Sequence, residues 1–344
     1  MPGPTARRCA AALVLLVAAT SCSGDDRDED AAQPTRSATV SSPSRSASPT
    51  PPVPAYLPLT GQEAKGTPVV RPAMVIKLDN TRPSRPQVGL GDADLVVEEL
   101  VEGGYTRLAA FYHSKLPALV GPVRSLRTSD IGLVAPTGGV IVASGGAGVA
   151  VRALRAAGIS MAAFEETGYT RERSRRAPYN LFVAPERVLS QWKEQPVPAP
   201  YLAWRRGRSA ATAPAGKSVS RVAARFSRVH ATSWTYGDGA WRRTGELAAN
   251  GDAFEPTTLI VLRVATRDAG YRDGAGNPVP ETVTTGSGDA TVLIGDQAVT
   301  ARWAKSSAAA TWKFTTADGA PLTIPPGRVW IELVPATGGA VTVS

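Results

Sequence analysis

The chain has 344 residues, of which 43% are hydrophobic and 19% charged, with 33 Gly, 29 Pro and seven Trp. This composition excludes collagen, coiled coils and multi-span membrane proteins, and it favours strands and turns in about two domains. The formal net charge is +9, and residues 56–344 carry all of it, as 33 basic and 24 acidic side chains. Such a charge attracts nucleic acid, anionic lipid or acidic polymers.

Residues 1–21 have the pattern of a signal peptide, because Arg7 and Arg8 precede an apolar run and small residues come before Cys22. The residues ATSC, which end at Cys22, resemble a lipobox, whose cysteine is acylated and becomes the new N-terminus. Cys22 is the only cysteine left after cleavage. We therefore predict a lipid anchor on Cys22 at the outer face of the cell membrane, and no disulfide. Ordinary secretion with an incidental cysteine is the alternative.

Export changes the set of expected partners. It excludes nucleic acid and leaves the membrane, reached through the lipid anchor, and an anionic wall polymer or an envelope protein. Residues 22–55 combine an acidic run with a Ser/Thr/Pro tract and lack apolar periodicity. We predict that this segment is a disordered tether.

Residues 56–200 alternate strand and helix patterns, which predicts an α/β domain with a mixed sheet and helices. Two apolar runs separated by Gly103 and Gly104 predict a hairpin. A later buried strand precedes a helix that ends at Gly158. The predicted strands cover residues 72–78, 94–102, 105–114 and 139–144.

Residues 201–344 change to short alternating runs separated by turns such as GDG and ADGA. This pattern predicts a mainly β C-terminal domain, either a sandwich or a small barrel. The expected fold is therefore an α/β domain followed by a β-rich domain.

Two phosphate-binding patterns lack the context that they need. Residues 211–218, ATAPAGKS, match a relaxed Walker A pattern, but no apolar strand precedes them. Residues 144–151, SGGAGVAV, have Val151 where a dinucleotide loop needs its third glycine, although a helix N-terminus that binds another anion stays open. We predict no cofactor.

Metal chemistry has little support in the sequence. His113 and His230 are the only histidines, and we interpret both as ordinary strand residues. We predict no metal site, although Asp79 with Glu98 or Glu102 leaves an oxygen-ligand Ca²⁺ or Mg²⁺ site open.

The densest set of unusual charged residues lies in residues 77–107, KLDNTRPSRPQVGLGDADLVVEELVEGGYTR, and in residues 121–127, GPVRSLR. Arg124 and Arg127 precede a predicted helix, where two guanidinium groups beside free amides favour an anion. We expect both segments side by side at one end of the sheet. The predicted ligand-binding residues are Asp79, Asn80, Arg85, Glu98, Glu102, Arg107, Arg124 and Arg127.

The motifs DN, RPQ, VVE, VEGGYTR and GPVRSLR resemble the N-terminal domain of the YerB-like family of bacterial lipoproteins, a two-domain family of unknown function. The later motifs WTYGDGAWRR and GSGDATVLIGDQAVTARW resemble its β-rich domain, so the resemblance covers nearly all of residues 56–335. The resemblance implies an α/β domain followed by a β-rich domain in the same chain. The sequences VASGGAG and APYN lack two histidines of the family pattern, and this weakens the hypothesis of a histidine-dependent enzyme.

We favour the hypothesis of a non-catalytic binding or assembly module for an anionic envelope ligand or a partner protein. The alternative is a cell-wall hydrolase that uses Asp79 with Glu98 or Glu102. On one strand Glu98 and Glu102 would lie about 13 Å apart, whereas paired glycosidase carboxylates lie about 5 to 9.5 Å apart. A third hypothesis is a scaffold that engages membrane enzymes through exposed Trp and Arg.

The same charges could instead form a network of buried ion pairs that holds the turns together. An arginine between two carboxylates would favour binding or structure, and a carboxylate pair without one would favour the hydrolase.

Overall fold

The structure, a computed structural model, describes residues 56–66, 69–162, 167–207, 216–245 and 248–344. Cys22, the predicted signal peptide and the predicted tether lie outside the described residues, as do residues 211–215 of the Walker-like pattern.

The first part of the chain combines strands with short helices, as its alternating pattern predicts. The strands are β1 (Met74–Asp79), β2 (Leu95–Leu100), β3 (Thr106–Tyr112), β4 (Val140–Val142), β5 (Ser160–Ala162), β6 (Tyr169–Arg171) and β7 (Leu181–Val183). The helices are α1 (Asp130–Val134), α2 (Gly148–Ala156) and α3 (Pro185–Leu189).

The predicted hairpin is confirmed. β2 and β3 pair antiparallel, with Val97 opposite Ala109. Gly103 and Gly104 both have positive φ, at 70° and 77°, in the turn between the two strands. Only glycine adopts this backbone conformation without a steric cost, so the Gly-Gly pair fixes the turn and the register.

The second part consists of strands and turns. Its strands are β8 (Lys217–Ser218), β9 (Arg221–Arg225), β10 (Ala231–Gly237), β11 (Ala240–Arg243), β12 (Thr258–Val264), β13 (Thr266–Arg272), β14 (Pro278–Thr282), β15 (Gly286–Ile294), β16 (Gln297–Lys305), β17 (Lys313–Thr316), β18 (Pro321–Leu322), β19 (Val329–Pro335) and β20 (Ala340–Val343).

One sheet runs through both parts of the chain. Its order is β18-β17-β16-β15-β12-β19-β2-β3-β1-β4-β5, and β8 pairs with β16. β19 lies between β12 and β2 and is parallel to both. The domain boundary predicted between residues 200 and 201 therefore does not separate two sheets. The boundary itself stays a prediction.

Both faces of the central strands are buried, which explains their nearly continuous apolar sequences. Val75 and Val97 point to the face that packs against α1 and α2, whereas Ile76 and Val96 point to the other face. A four-stranded sheet, β11-β10-β9-β20, contributes its inner residues to this second face. The predicted fold class, α/β and then mainly β, is confirmed.

The tryptophans belong to the core. Trp234, Trp241, Trp312 and Trp330 are almost fully buried, and Trp192 is half-buried. The scaffold hypothesis relied on exposed tryptophans, and that expectation was wrong, because these large side chains contribute most when they are desolvated.

Candidate functional site

The end of β1 meets the segment that contains Arg124. The amide of Arg124 donates to the carbonyl of Lys77 (2.8 Å), and the amide of Asp79 donates to the carbonyl of Pro122 (3.1 Å). On the other side of β1, Arg107 lies opposite Asp79 in register. Backbone pairing therefore brings charged residues from three segments together.

Five predicted residues form one group, which we call the arginine cluster: Asp79, Glu102, Arg107, Arg124 and Arg127. Arg124 Nε lies 2.8 Å from Asp79 Oδ2. Glu102 accepts hydrogen bonds from Arg107 Nη2 at 2.7 Å and from Arg127 Nε at 2.9 Å, and Arg127 Nη2 also contacts Glu102 Oε1. Three guanidinium groups meet two carboxylates, so the cluster has an excess of one positive charge.

Like charges are crowded in the arginine cluster. Burial lowers the pKa of Arg107 to about 10, and the positive charge of Arg127 adds to the shift. Burial would raise the pKa of Glu102, but hydrogen bonds from Arg127 and the charge of Arg107 outweigh it and lower that pKa. A bound anion would relieve the repulsion between the guanidinium groups.

Arg124 is the guanidinium of the cluster that solvent reaches best. Its side chain is 22% exposed, against 6% for Arg107 and for Arg127. The guanidinium lies 5.6 Å from the centre of the Tyr179 ring, and Nη1 is 3.4 Å from the carbonyl oxygen of Pro178. A ligand that approaches the cluster would therefore meet Arg124 first.

The backbone of Arg124 pairs with the segment that follows β4, where the amide of Ser144 donates to the carbonyl of Arg124 at 3.0 Å. The hydroxyls of Ser125 and Ser144 are 3.3 Å apart, and both residues are half-buried. α2 begins soon after Ser144, and its N-terminus has no side-chain cap. Hydroxyls and uncapped amides beside a guanidinium suit an anionic group.

A second polar group lies on the opposite face of the sheet, and we call it the buried cluster. Its centre is Glu98, which is fully buried, with Oε1 2.8 Å from His230 Nε2 and 2.9 Å from Asn80 Nδ2. Thr106 and Thr232 also donate their hydroxyls to Glu98. The buried cluster consists of Asn80, Glu98, His230, Arg243 and Glu332.

Glu332 on β19 lies beside Glu98 on β2, as the parallel register pairs the two residues. Its Oε1 accepts a hydrogen bond from Trp234 Nε1 at 2.7 Å. Burial raises the pKa of Glu332 well above its ordinary value, and the negative charge of Glu98 raises it further. For Glu98, hydrogen bonds and charge from His230 overcome the burial and lower the pKa. Burial and the neighbouring carboxylate therefore favour the protonated form of Glu332 more than that of Glu98.

Arg243 supplies the permanent positive charge of the buried cluster. It donates to Asn80 Oδ1 at 3.2 Å and to Gln87 Oε1 at 2.8 Å, and it stacks 4.6 Å from the Trp330 ring centre. Burial lowers the pKa of Arg243 to about 10, despite the opposing charges of Glu98 and Glu332. Arg243 thus connects loop residues of the first part of the chain to the second part.

Three members of the buried cluster were not predicted from the sequence. Glu332 interrupts the apolar run of β19, and a charged residue there is a signal that could have found it. His230 and Arg243 carry no comparable signal. The interpretation of His230 as an ordinary strand residue was wrong, because it precedes β10 and contacts Glu98.

A third charged group, equally unforeseen, lies beneath the arginine cluster. Lys77 Nζ is 2.7 Å from Glu99 and 2.8 Å from Asp130, and all three side chains are fully buried. Burial opposes the charge on Lys77, but the two carboxylates outweigh it and raise the pKa of Lys77. This group anchors α1 to the sheet.

The eight predicted residues do not form one site. Asp79 belongs to the face of β1 that carries Lys77, whereas Asn80 reaches Glu98 on the other face. Asp79 and Glu98 are therefore on opposite sides of the sheet, and arginines stand between Asp79 and Glu102. Arg85 is exposed, and its positive charge adds to the lowering of the pKa of Arg243 in the buried cluster.

Within the described residues, no group of three or more His, Cys, Asp or Glu side chains could hold a metal ion. His113 is buried, and burial with the charge of Arg71 lowers its pKa to about 4. Among the same residues, no helix is long and apolar enough to cross a membrane.

The chain is similar to known proteins in both of its parts. Residues 59–198 match the N-terminal domain of the protein of unknown function DUF3048, and residues 222–331 match its C-terminal domain. The chain is 43% identical over 70 residues to YerB of Bacillus subtilis (strain 168), which is named as a candidate lipoprotein. That stretch spans only about a fifth of each protein, namely 20% of this chain and 21% of YerB.

The crystal structure of the YerB protein from Bacillus subtilis has a similar fold. The TM-score is 0.69 at 20% identity, and the similarity covers 83% of this chain and 99% of the YerB chain. At this identity the likeness supports the fold. Both domain matches together with this architecture show that the chain belongs to the two-domain DUF3048 family of proteins of unknown function.

Proposed function

We propose that this protein is an exported, lipid-anchored envelope protein that binds an anionic ligand, or an acidic partner protein, at the arginine cluster without catalysing a reaction. The single observation that carries the proposal is the state of Arg124. Its guanidinium is ion-paired to Asp79, belongs to a side chain that is 22% exposed, and lies in a cluster of three arginines and two carboxylates. An anion could accept hydrogen bonds there from the guanidinium atoms that face solvent.

The proposed location rests on the first 22 residues and on a relative. The basic start, the apolar run and the small residues before Cys22 fit lipoprotein export. YerB, which shares the 43% identical stretch, is named as a candidate lipoprotein. Acyl chains on Cys22 would hold the folded part at the outer face of the membrane.

The alternative function, a cell-wall hydrolase that uses Asp79 with Glu98 or Glu102, finds less support in the geometry. Asp79 and Glu98 lie on opposite faces of the sheet, so one substrate would not reach both. Arg107, Arg124 and Arg127 bind the carboxylates of Asp79 and Glu102. A carboxylate held by a guanidinium is a weak base and a poor nucleophile.

Calorimetry on Arg124→Ala tests the binding proposal. The variant should lose binding of inorganic phosphate while its free energy of unfolding falls by only about 1 to 2 kcal/mol. The loss is small because Asp79 keeps its hydrogen bonds from the Thr81 amide and hydroxyl. Arg221→Ala, an exposed arginine on β9, is the matched control and should change neither property.

A stable Arg124→Ala protein with undiminished binding of phosphate and acidic wall fragments would refute the site. A fall of about 3 to 5 kcal/mol would instead indicate a structural ion-pair network, because the change would then strand a buried carboxylate. Turnover of wall glycan or peptide that is lost in Asp79→Asn would favour the hydrolase.

The anchor is tested separately. Cys22→Ala should release the protein into the medium or leave the precursor uncleaved, since no thiol remains to be acylated. Cell fractionation and the mass of the N-terminal peptide measure this. A processed Cys22→Ala protein that stays in the membrane would contradict lipidation.

A further inference from the structure

The surface beside Arg124 is built from two loops that are both rich in arginine. Residues 81–86, TRPSRP, follow β1, and residues 171–176, RERSRR, lie at the turn between β6 and β7. Together they contain six Arg and one Glu, a net charge of +5 over twelve residues.

Arg175 joins the two loops. Its guanidinium donates to the carbonyl of Ser84 at 3.1 Å and to the carbonyl of Pro86 at 2.7 Å, and it lies 5.0 Å from the ring centre of Phe182. The second loop continues to Pro178 and Tyr179, which contact Arg124. The loops and the arginine cluster therefore form one continuous surface.

Four arginines of this surface are exposed: Arg82, Arg85, Arg173 and Arg176. None of their side chains makes a hydrogen bond or an ion pair with another described residue. Burial and the positive charge of Arg82 lower the pKa of Arg85, so these two guanidinium groups lie close enough to repel each other. Glu172, the acidic residue of the two loops, accepts hydrogen bonds from Ser174 instead. We call these four residues with Arg124 the basic surface.

We propose that the basic surface binds a polymer with repeated phosphodiester groups, which runs from Arg124 along the two loops. This inference rests on the proposed function, since it makes Arg124 one end of a longer site. A single phosphate could engage only a few guanidinium groups, whereas a chain of phosphates could engage all five. Arginine suits this ligand because its planar fork matches phosphate oxygens.

An anionic bilayer is the other macromolecule that carries many phosphates. Surfaces that bind bilayers combine basic residues with apolar side chains that insert between the lipids. The large exposed apolar residues of the described chain are Val70, Tyr105, Val149 and Val229, and none of them lies in the two loops. The surface therefore favours a polymer over a lipid surface.

Salt dependence of binding tests the proposal. The detergent-solubilised protein is titrated with a glycerol phosphate oligomer, with single glycerol phosphate and with phosphatidylglycerol vesicles at several salt concentrations. The oligomer should bind more tightly than the single unit and with a steeper salt dependence. Each arginine that neutralises a phosphate contributes about 0.7 to the slope of log K against log salt for a single-stranded polyanion.

The double variants R82Q/R85Q and R173Q/R176Q should each reduce this slope by about 1.4 and leave the melting temperature unchanged. The matched control, R221Q/R225Q, alters two exposed arginines of β9 and should leave the slope unchanged. Equal slopes for wild type and both test variants would overturn the proposal. So would vesicle binding that depends on the four arginines while the oligomer does not bind.

The two proposals fail in different ways. If single glycerol phosphate binds and requires Arg124, but the oligomer binds no more tightly than the single unit, then the anion site is supported and the extended surface is wrong. If no anion binds in any form, both proposals fall. If the oligomer binds equally well to Arg124→Ala and to wild type, but less to both double variants, the loops bind the polymer and the path through Arg124 is wrong.

Discussion

The arginine cluster and the buried cluster lie on opposite faces of the same three strands, yet their chemistry differs. The arginine cluster has excess positive charge and a guanidinium that is 22% exposed. The buried cluster has two fully buried carboxyl groups, and burial raises the pKa of one of them, Glu332. Strand alternation thus directs the neighbours Asp79 and Asn80 to opposite faces with different surroundings. One face carries the proposed anion site, and the other joins the two parts of the chain.

The largest effect is expected from Arg243→Met, which removes the permanent cation of the buried cluster. The change leaves Gln87 Oε1 without its donor, removes one of the two donors to Asn80 Oδ1, and leaves two buried carboxyl groups without a nearby guanidinium. We expect the free energy of unfolding to fall by about 3 to 5 kcal/mol, measured by urea denaturation.

The neighbouring residue provides the control for this change. Arg242 is 43% exposed and pairs with Asp238 and Glu255 at the surface. Arg242→Met should cost less than about 1 kcal/mol, because exposed ion pairs contribute little. An equal fall in the free energy of unfolding for the two variants would mean that the buried cluster does not hold the two parts of the chain together.

A smaller effect, of opposite sign, is expected from Glu332→Gln. Because burial raises the pKa of Glu332, its contribution to stability is fully present below the ordinary glutamate pKa of 4.5 and is lost as pH rises through the raised value. Glutamine cannot ionise, and its amide can donate to Glu98. The variant should therefore be more stable than wild type at neutral pH, by about 1 kcal/mol, and similar to it at pH 4.

Melting temperatures across this pH range measure the difference. Glu98 acts in the opposite direction, because its lowered pKa stabilises the fold above the ordinary value and this contribution is lost on acidification. Both proteins keep Glu98, so the difference between them isolates Glu332. A Glu332→Gln protein that is less stable than wild type at neutral pH would show that the fold needs a charged Glu332.

The smallest effect is expected from deletion of residues 23–55. They lack apolar periodicity and could not offset the entropy of ordering them. Both clusters belong to residues outside this segment, so neither should change. Calorimetric melting temperatures should coincide with and without the segment, and a fall of several degrees would show that the tether packs against the fold.

Much of the fold was predictable because it depends on local patterns. Gly103 and Gly104 between two apolar runs predict the hairpin of β2 and β3, and turns between alternating runs predict the β-rich part. The pairing of β19 with β2 was not predictable, since their residues lie more than 200 positions apart and parallel pairing leaves no local signal. This pairing makes one sheet of two sequence regions.

The candidate site was predictable only in its residue types. The density of Asp, Glu and Arg in residues 77–127 indicated a charged site, but it could not assign Asp79 and Glu98 to different faces. The arrangement also depends on His230, Arg243 and Glu332, which come from a distant part of the chain and decide what surrounds Glu98.

The amino-acid sequence alone is sufficient to predict an export signal before Cys22 and an α/β region followed by a β-rich region, and it contains the arginine-rich residues 171–176. These properties depend on composition and on neighbours along the chain. Tertiary structure decided which charges meet. Burial and distance raise the pKa of Glu332, lower the pKa of Arg107 and leave Arg124 partly exposed, and these effects arise only once strands from both regions share one sheet.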